Sequence, residues 1–99
     1  MKQIHHFING SFVPSARSFA KRSPLDGSII AQVHEGSAQE VDQAVAAARA
    51  ALHGPWGQMS LAERADRLYA VADGITRRVD EFLEAECADT GKPQSLARR

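Results

Sequence analysis

A single thiol and four imidazoles are the groups in this sequence that most invite chemistry. Cys87 is the only cysteine, so it cannot close an internal disulfide. A catalytic thiol needs to ionise, and that is favoured beside a cation or at a helix N-terminus. Cys87 instead has Glu84, Glu86 and Asp89 around it and falls late in a helical stretch, so it is expected to be a packing or surface thiol with no catalytic task. Of the histidines, His5 and His6 are adjacent in an expected strand. Neighbouring strand side chains point to opposite faces, which makes the pair a poor chelate for one metal ion. His53 falls near a helix C-terminus, where a partial positive charge meets the helix dipole favourably. Gly91-Lys92 lacks the upstream glycine and the following serine or threonine of a phosphate-binding loop. Gly54-Pro55-Trp56-Gly57 has the look of a backbone-clamping nucleic-acid loop, but no basic surface surrounds it, and a helix-ending turn with a packed tryptophan is expected there.

The elements that would carry these groups are legible in the patterning. Ile4 to Ile8 is apolar and aromatic, and Phe12-Val13 resumes the pattern after Asn9-Gly10. That dipeptide tolerates positive φ twice, as a type I′ turn needs, so a short hairpin is expected. A second unit runs from Phe19–Arg22 through Ser23-Pro24-Leu25-Asp26-Gly27 to a strand over 28–34, with proline presetting the turn and glycine taking its left-handed position. At Ser37 the period changes to that of a helix. Ser37 with Glu40 and Ser60 with Glu63 have capping-box spacing. Val41, Ala44, Val45, Ala48 and Leu52 follow the first box at helical intervals, and Ala65, Leu68, Ala72, Ile75, Val79, Phe82 and Leu83 follow the second. Gly74 costs roughly 1 kcal/mol in a helix interior relative to alanine, so a break is expected between about 74 and 80. Asp89-Thr90-Gly91-Lys92-Pro93 should stop the helix, with a further helical start after it. Strands are thus expected within about 3–34, and helices over about 38–53 and 61–88.

Composition narrows the class. The chain has 99 residues, 43% of them hydrophobic, with twelve basic and twelve acidic side chains and formal charge zero. It reads as one soluble domain or part of one. The charges alternate in sign, so neither nucleic acid nor an anionic membrane is an expected partner. MKQIHHFINGSFV is broken by histidines and a turn and reads as neither a signal peptide nor a membrane span; a cytoplasmic location is expected. A domain of this size buries only about 60–65% of its unfolded surface, and these strands are too few to cover the apolar faces of the helices. The expectation is a piece of a larger body.

The strings FINGSFV, SPLDGSIIAQV, EVDQAVAAARAAL, GPWGQMSLAERA and DTGKP stand in the order in which the aldehyde dehydrogenase superfamily carries similar strings near its N-terminus, and the resemblance covers residues 3–97. VHEG, AALHGPWGQMS, VADGITRR and DEFLEAECADTGKP resemble most closely the 2-hydroxymuconic and 2-aminomuconic semialdehyde dehydrogenases of aromatic ring cleavage. SPLDG departs from the family's more usual NP-x-TG. The resemblance implies an α/β fold in which these hairpins and helices form an incomplete part of a Rossmann-like NAD-binding domain, within a homo-oligomer. It also implies NAD(P)-dependent oxidation of an aldehyde through a cysteine thioester that glutamate-activated water hydrolyses. The catalytic and cofactor-contacting residues of the family lie beyond the matched stretch, so no catalytic or cofactor-binding residue is assigned in this chain, which alone is expected to be inactive. One position carries an implied site: Asp89 matches an aspartate with which relatives bind a monovalent cation, together with carbonyls from the segment containing Lys21 and Arg22. The alternative is a turn aspartate paired with Lys92. At the level of function, the alternative to a dehydrogenase segment is a small helical interaction module without catalytic activity.

Overall fold

The computed structural model describes residues 2–98, which form five strands and five helices. Contacts divide them into two units, one made of residues up to 22 together with 29–58, the other of 23–28 together with residues from 59 onward.

In the first unit, β1 (Lys2–Ile4), β5 (Ile29–His34) and β4 (Ser18–Arg22) form a sheet in the order β1-β5-β4. The β4–β5 pair is antiparallel, as a hairpin requires, with a register irregularity at Lys21/Arg22. The β1–β5 pair is parallel, placing Lys2 opposite Ala31 and Ile4 opposite Val33. Ala31 is therefore flanked on both sides and is buried, at 4% exposure. A separate hairpin joins β2 (His6–Ile8) to β3 (Ser11–Val13), pairing Phe7 with Phe12. Its turn has φ 51° at Asn9 and 80° at Gly10, the two positive values expected of this dipeptide.

The single strand expected over Ile4–Ile8 is not continuous. It breaks at His5, because Ile4 pairs with β5 whereas His6 pairs with Val13 of β3. His5 and His6 consequently do not alternate within one strand, and the chain changes partner between them.

Helix α1 (Ala38–His53) opens on the Ser37–Glu40 capping box. Its alanine side meets the hairpin, leaving a cavity of about 290 Å³ lined by Phe7, Ile8, Ala44, Ala47, Ala48 and Ala51. The loop after it is a one-turn helix, α2 (Pro55–Gln58). Trp56 there is 38% exposed, not packed as expected. A four-residue turn has no second layer to cover an indole.

The second unit consists of the turn at 23–28 with α3 (Leu61–Arg77), α4 (Val79–Thr90) and α5 (Gln94–Ala97). Ser60 caps α3 by accepting the Glu63 amide at 3.1 Å, and its hydroxyl donates to the Glu63 carboxylate at 3.1 Å. The expected interruption falls at Arg78, whose φ of −114° and ψ of 25° leave the helical region. Leu83 of α4 is buried, but Leu61, Leu68, Tyr69, Val71 and Phe82 are more than half exposed. Ala31 and Leu83 are the only buried hydrophobic residues among those described. Arg64 Nε is buried with no hydrogen-bond partner, an arrangement that costs about 1–3 kcal/mol when nothing accepts from it.

Candidate functional site

Asp89 lies in the last turn of α4 and is exposed. The next three residues fix that helix end. Gly91 adopts φ 73° and its N–H donates to the Cys87 carbonyl at 2.9 Å, a left-handed cap that glycine takes without a Cβ penalty. The Thr90 hydroxyl donates to the Glu86 carbonyl at 2.8 Å and accepts from the Lys92 amide at 3.2 Å. Of the last four carbonyls of the helix, that of Cys87 is thus already occupied. Those that remain, with the Asp89 carboxylate, make this end electronegative.

The turn between β4 and β5 sits against the same cap. A Cβ at position 91 would lie 3.1 Å from Pro24 Cγ and 3.4 Å from Leu25 Cδ2. The turn is tied internally by Ser23 N–H to the Ser28 carbonyl at 2.7 Å and by Gly27 N–H to the Ser23 carbonyl at 2.9 Å. The Ser28 amide and hydroxyl both donate to Asp26, at 2.9 and 2.7 Å. Those bonds, the amide first, hold the Asp26 carboxyl below its usual range. At the other end of α4, Arg78 donates twice to Glu81, at 2.7 and 3.0 Å. This lowers the Glu81 carboxyl and raises the guanidinium, both through the hydrogen bonds first.

Cys87 is free and half-buried within α4. His53 stands in the last turn of α1, as its place in the sequence implied. No group of three or more His, Cys, Asp or Glu side chains able to hold a metal ion occurs among the described residues.

The first unit brings together residues that their spacing did not connect. Ser15, between β3 and β4, donates its amide to His34 Nδ1 at 3.0 Å and its hydroxyl to the Glu35 carbonyl at 2.6 Å. His6 Nε2 lies 3.2 Å from the same hydroxyl, and His34 Nε2 lies 3.0 Å from Gln3 Oε1. His5 stands edge-on to His34 with ring centroids 4.3 Å apart. Beside this network a cavity of about 390 Å³ is lined by Ser15, Arg17, Glu35, Ser37, Glu40 and Gln43, among others. Glu40 is buried, at 8% exposure, and accepts from the Ser37 hydroxyl at 2.6 Å. That bond is the first cause holding its carboxyl low, with burial opposing and the His6 charge a minor aid. Ser15, His34, Ser37 and Glu40 are each engaged in hydrogen bonds that hold the fold. Ser15, though beside an imidazole, already gives its proton to a backbone carbonyl and is not set up as a nucleophile.

Residues 12–99 match the Aldehyde dehydrogenase family. The chain is 66% identical over 99 residues to the 2-hydroxymuconic semialdehyde dehydrogenase of Pseudomonas sp. (strain CF600), covering 98% of this chain and 20% of that protein. It is 46% identical over 97 residues to a 2-aminomuconic 6-semialdehyde dehydrogenase of Pseudomonas sp., again covering 98% of this chain and 20% of the relative. The crystal structure of an NAD-dependent aldehyde dehydrogenase from Sinorhizobium meliloti superposes with a TM-score of 0.90 at 37% identity, covering 99% of this chain and 20% of that one. The chain therefore spans about a fifth of the length of the relatives it matches.

Proposed function

The chain belongs to the aldehyde dehydrogenase family, and on that premise we propose that it is the N-terminal segment of an enzyme oxidising a muconic-type semialdehyde to its carboxylate with NAD. The observation that carries this reading is the 66% identity, over 98% of the chain, with a protein named 2-hydroxymuconic semialdehyde dehydrogenase. The 2-aminomuconic relative, at 46%, supports the same substrate class. NAD as the hydride acceptor is supported by the solved NAD-dependent relative. Bound NAD would supply a two-electron acceptor. No cofactor contact and no step of the reaction is assigned to this segment, which alone is inactive in this proposal. Its part is architectural: two short strand assemblies and three capped helices (α1, α3 and α4) that present apolar surface for packing. The interaction-module reading is not favoured, since the match runs the length of the chain.

Two further features belong to the same proposal. The full-length enzyme works as a cytoplasmic homo-oligomer. Asp89 contributes a carboxylate to a bound monovalent cation, a role suited to a hard oxygen donor at an electronegative helix end. The test of the main reading is an assay of the full-length protein with 2-hydroxymuconic and 2-aminomuconic semialdehydes against simple aliphatic aldehydes, following NADH. Higher kcat/KM on the muconic substrates is expected; a preference for the aliphatic aldehydes would overturn it.

A further inference from the structure

Acceptor and donor positions on His34 are fixed by its neighbours. The Ser15 backbone N–H donates to Nδ1 at 3.0 Å, and an amide nitrogen has nothing to accept with. Nδ1 must therefore carry no proton, and the neutral ring must carry its proton on Nε2, which then donates to Gln3 Oε1 at 3.0 Å. His6 is in the opposite situation. The Ser15 hydroxyl already donates to the Glu35 carbonyl at 2.6 Å, so it has only acceptor capacity to offer His6 Nε2 at 3.2 Å. A charged His6 keeps that bond, whereas a charged His34 sets a ring N–H against the Ser15 N–H.

We propose that His34 and Ser15 form an acid-released latch that holds the 14–17 connector onto β5. The connector joins the β2–β3 hairpin to β4 and supplies one wall of the 390 Å³ cavity. Its other ties are the Glu35 N–H to Arg17 carbonyl bond at 2.8 Å and the hydroxyl bonds of Ser15. The charged and titratable groups around His34 are His5 edge-on to it, Glu35 next in sequence, Arg17 in the connector, and His6 and Glu40 beyond Ser15. The hydrogen bond sets the direction of the effect. It is present while the imidazole is neutral and is lost on proton uptake, because a protonated Nδ1 cannot accept from the Ser15 N–H, so the latch opens on acidification. The release is local, because β5 keeps its ladders to β1 and β4.

The test is hydrogen exchange at single-residue resolution on the full-length protein, reading the protection factor of the Ser15 amide from about pH 7.5 to about pH 5. The expected result is a loss of Ser15 amide protection in the wild type on acidification. His34→Asn retains an acceptor near the position of Nδ1 and does not titrate, so its Ser15 protection should stay level. His6→Asn should keep the fall, and that variant decides the matter if His34→Asn does not fold. Level protection in the wild type, an undiminished fall in His34→Asn, or loss of the fall in His6→Asn would overturn the latch.

Discussion

Replacing Gly91 by alanine tests how the α4 cap and the Ser23–Ser28 turn support one another. Two costs add at this position. The left-handed backbone, at φ 73°, is about 1–2 kcal/mol less favourable once a Cβ is present. That Cβ would also stand 3.1 Å from Pro24 Cγ and 3.4 Å from Leu25 Cδ2. A contact this tight with a proline ring, which has little room to give, adds about 1 kcal/mol or more by overpacking. Gly27 provides the control. It has φ 76° but nothing within 4 Å of the place a methyl group would take, so Gly27→Ala carries the backbone cost alone. Hydrogen exchange reads local opening directly and does not assume that a large protein unfolds in one step. At about 1.4 kcal/mol per factor of ten, Gly91→Ala should lower protection of the position-91 amide, which bonds to the Cys87 carbonyl, by about thirty- to several hundredfold. Gly27→Ala should lower protection of the position-27 amide, which bonds to the Ser23 carbonyl, by only about five- to thirtyfold. Gly91→Asn, which tolerates the left-handed region but still carries a Cβ, should fall between. Equal losses in Gly91→Ala and Gly27→Ala would refute the reasoning, because the crowding by Pro24 and Leu25 would then be immaterial.

The isolated chain, with Ala31 and Leu83 its only buried hydrophobic residues among those described, should melt without cooperativity when followed by the near-ultraviolet dichroism of Trp56 and Tyr69; a sharp transition in a monomer would contradict this. Cys87→Ala in the full-length enzyme should leave semialdehyde oxidation within a small factor of wild type, and a loss beyond about a thousandfold, as for a covalent nucleophile, would reassign it. If Asp89 holds a monovalent cation, the melting temperature of the full-length enzyme should rise with potassium or sodium over a large organic cation at equal ionic strength. Asp89→Asn should abolish that difference and Lys92→Ala should leave it; an unchanged response in Asp89→Asn would return Asp89 to a turn role. Ser60→Ala removes the hydroxyl that accepts the Glu63 amide and should destabilise the start of α3 by about 1 kcal/mol, read as roughly fivefold faster exchange of that amide.

Much of the local structure was legible because its causes are local. Asn9-Gly10 makes its turn from two adjacent residues that accept positive φ. Ser60 and Glu63 satisfy one another over a single helical turn. The weak helix former Gly74 preceded a break that came at Arg78. Family membership was legible as well, since it rests on ordered strings of residues. Tertiary structure decided the pairings that join distant residues. Lys2 lies beside Ala31 because β5 can bury its centre only with a strand on each side. That pairing draws β1 away from the hairpin and breaks the chain's course at His5. Gln3, Ser15 and His34 meet through the same arrangement, and no spacing announces a contact across 31 positions. The seat of Pro24 and Leu25 on Gly91 is of this kind too. Turns and caps are satisfied within a few residues and so are written in order along the chain, whereas burial selects among many possible distant partners and is settled only when the elements pack.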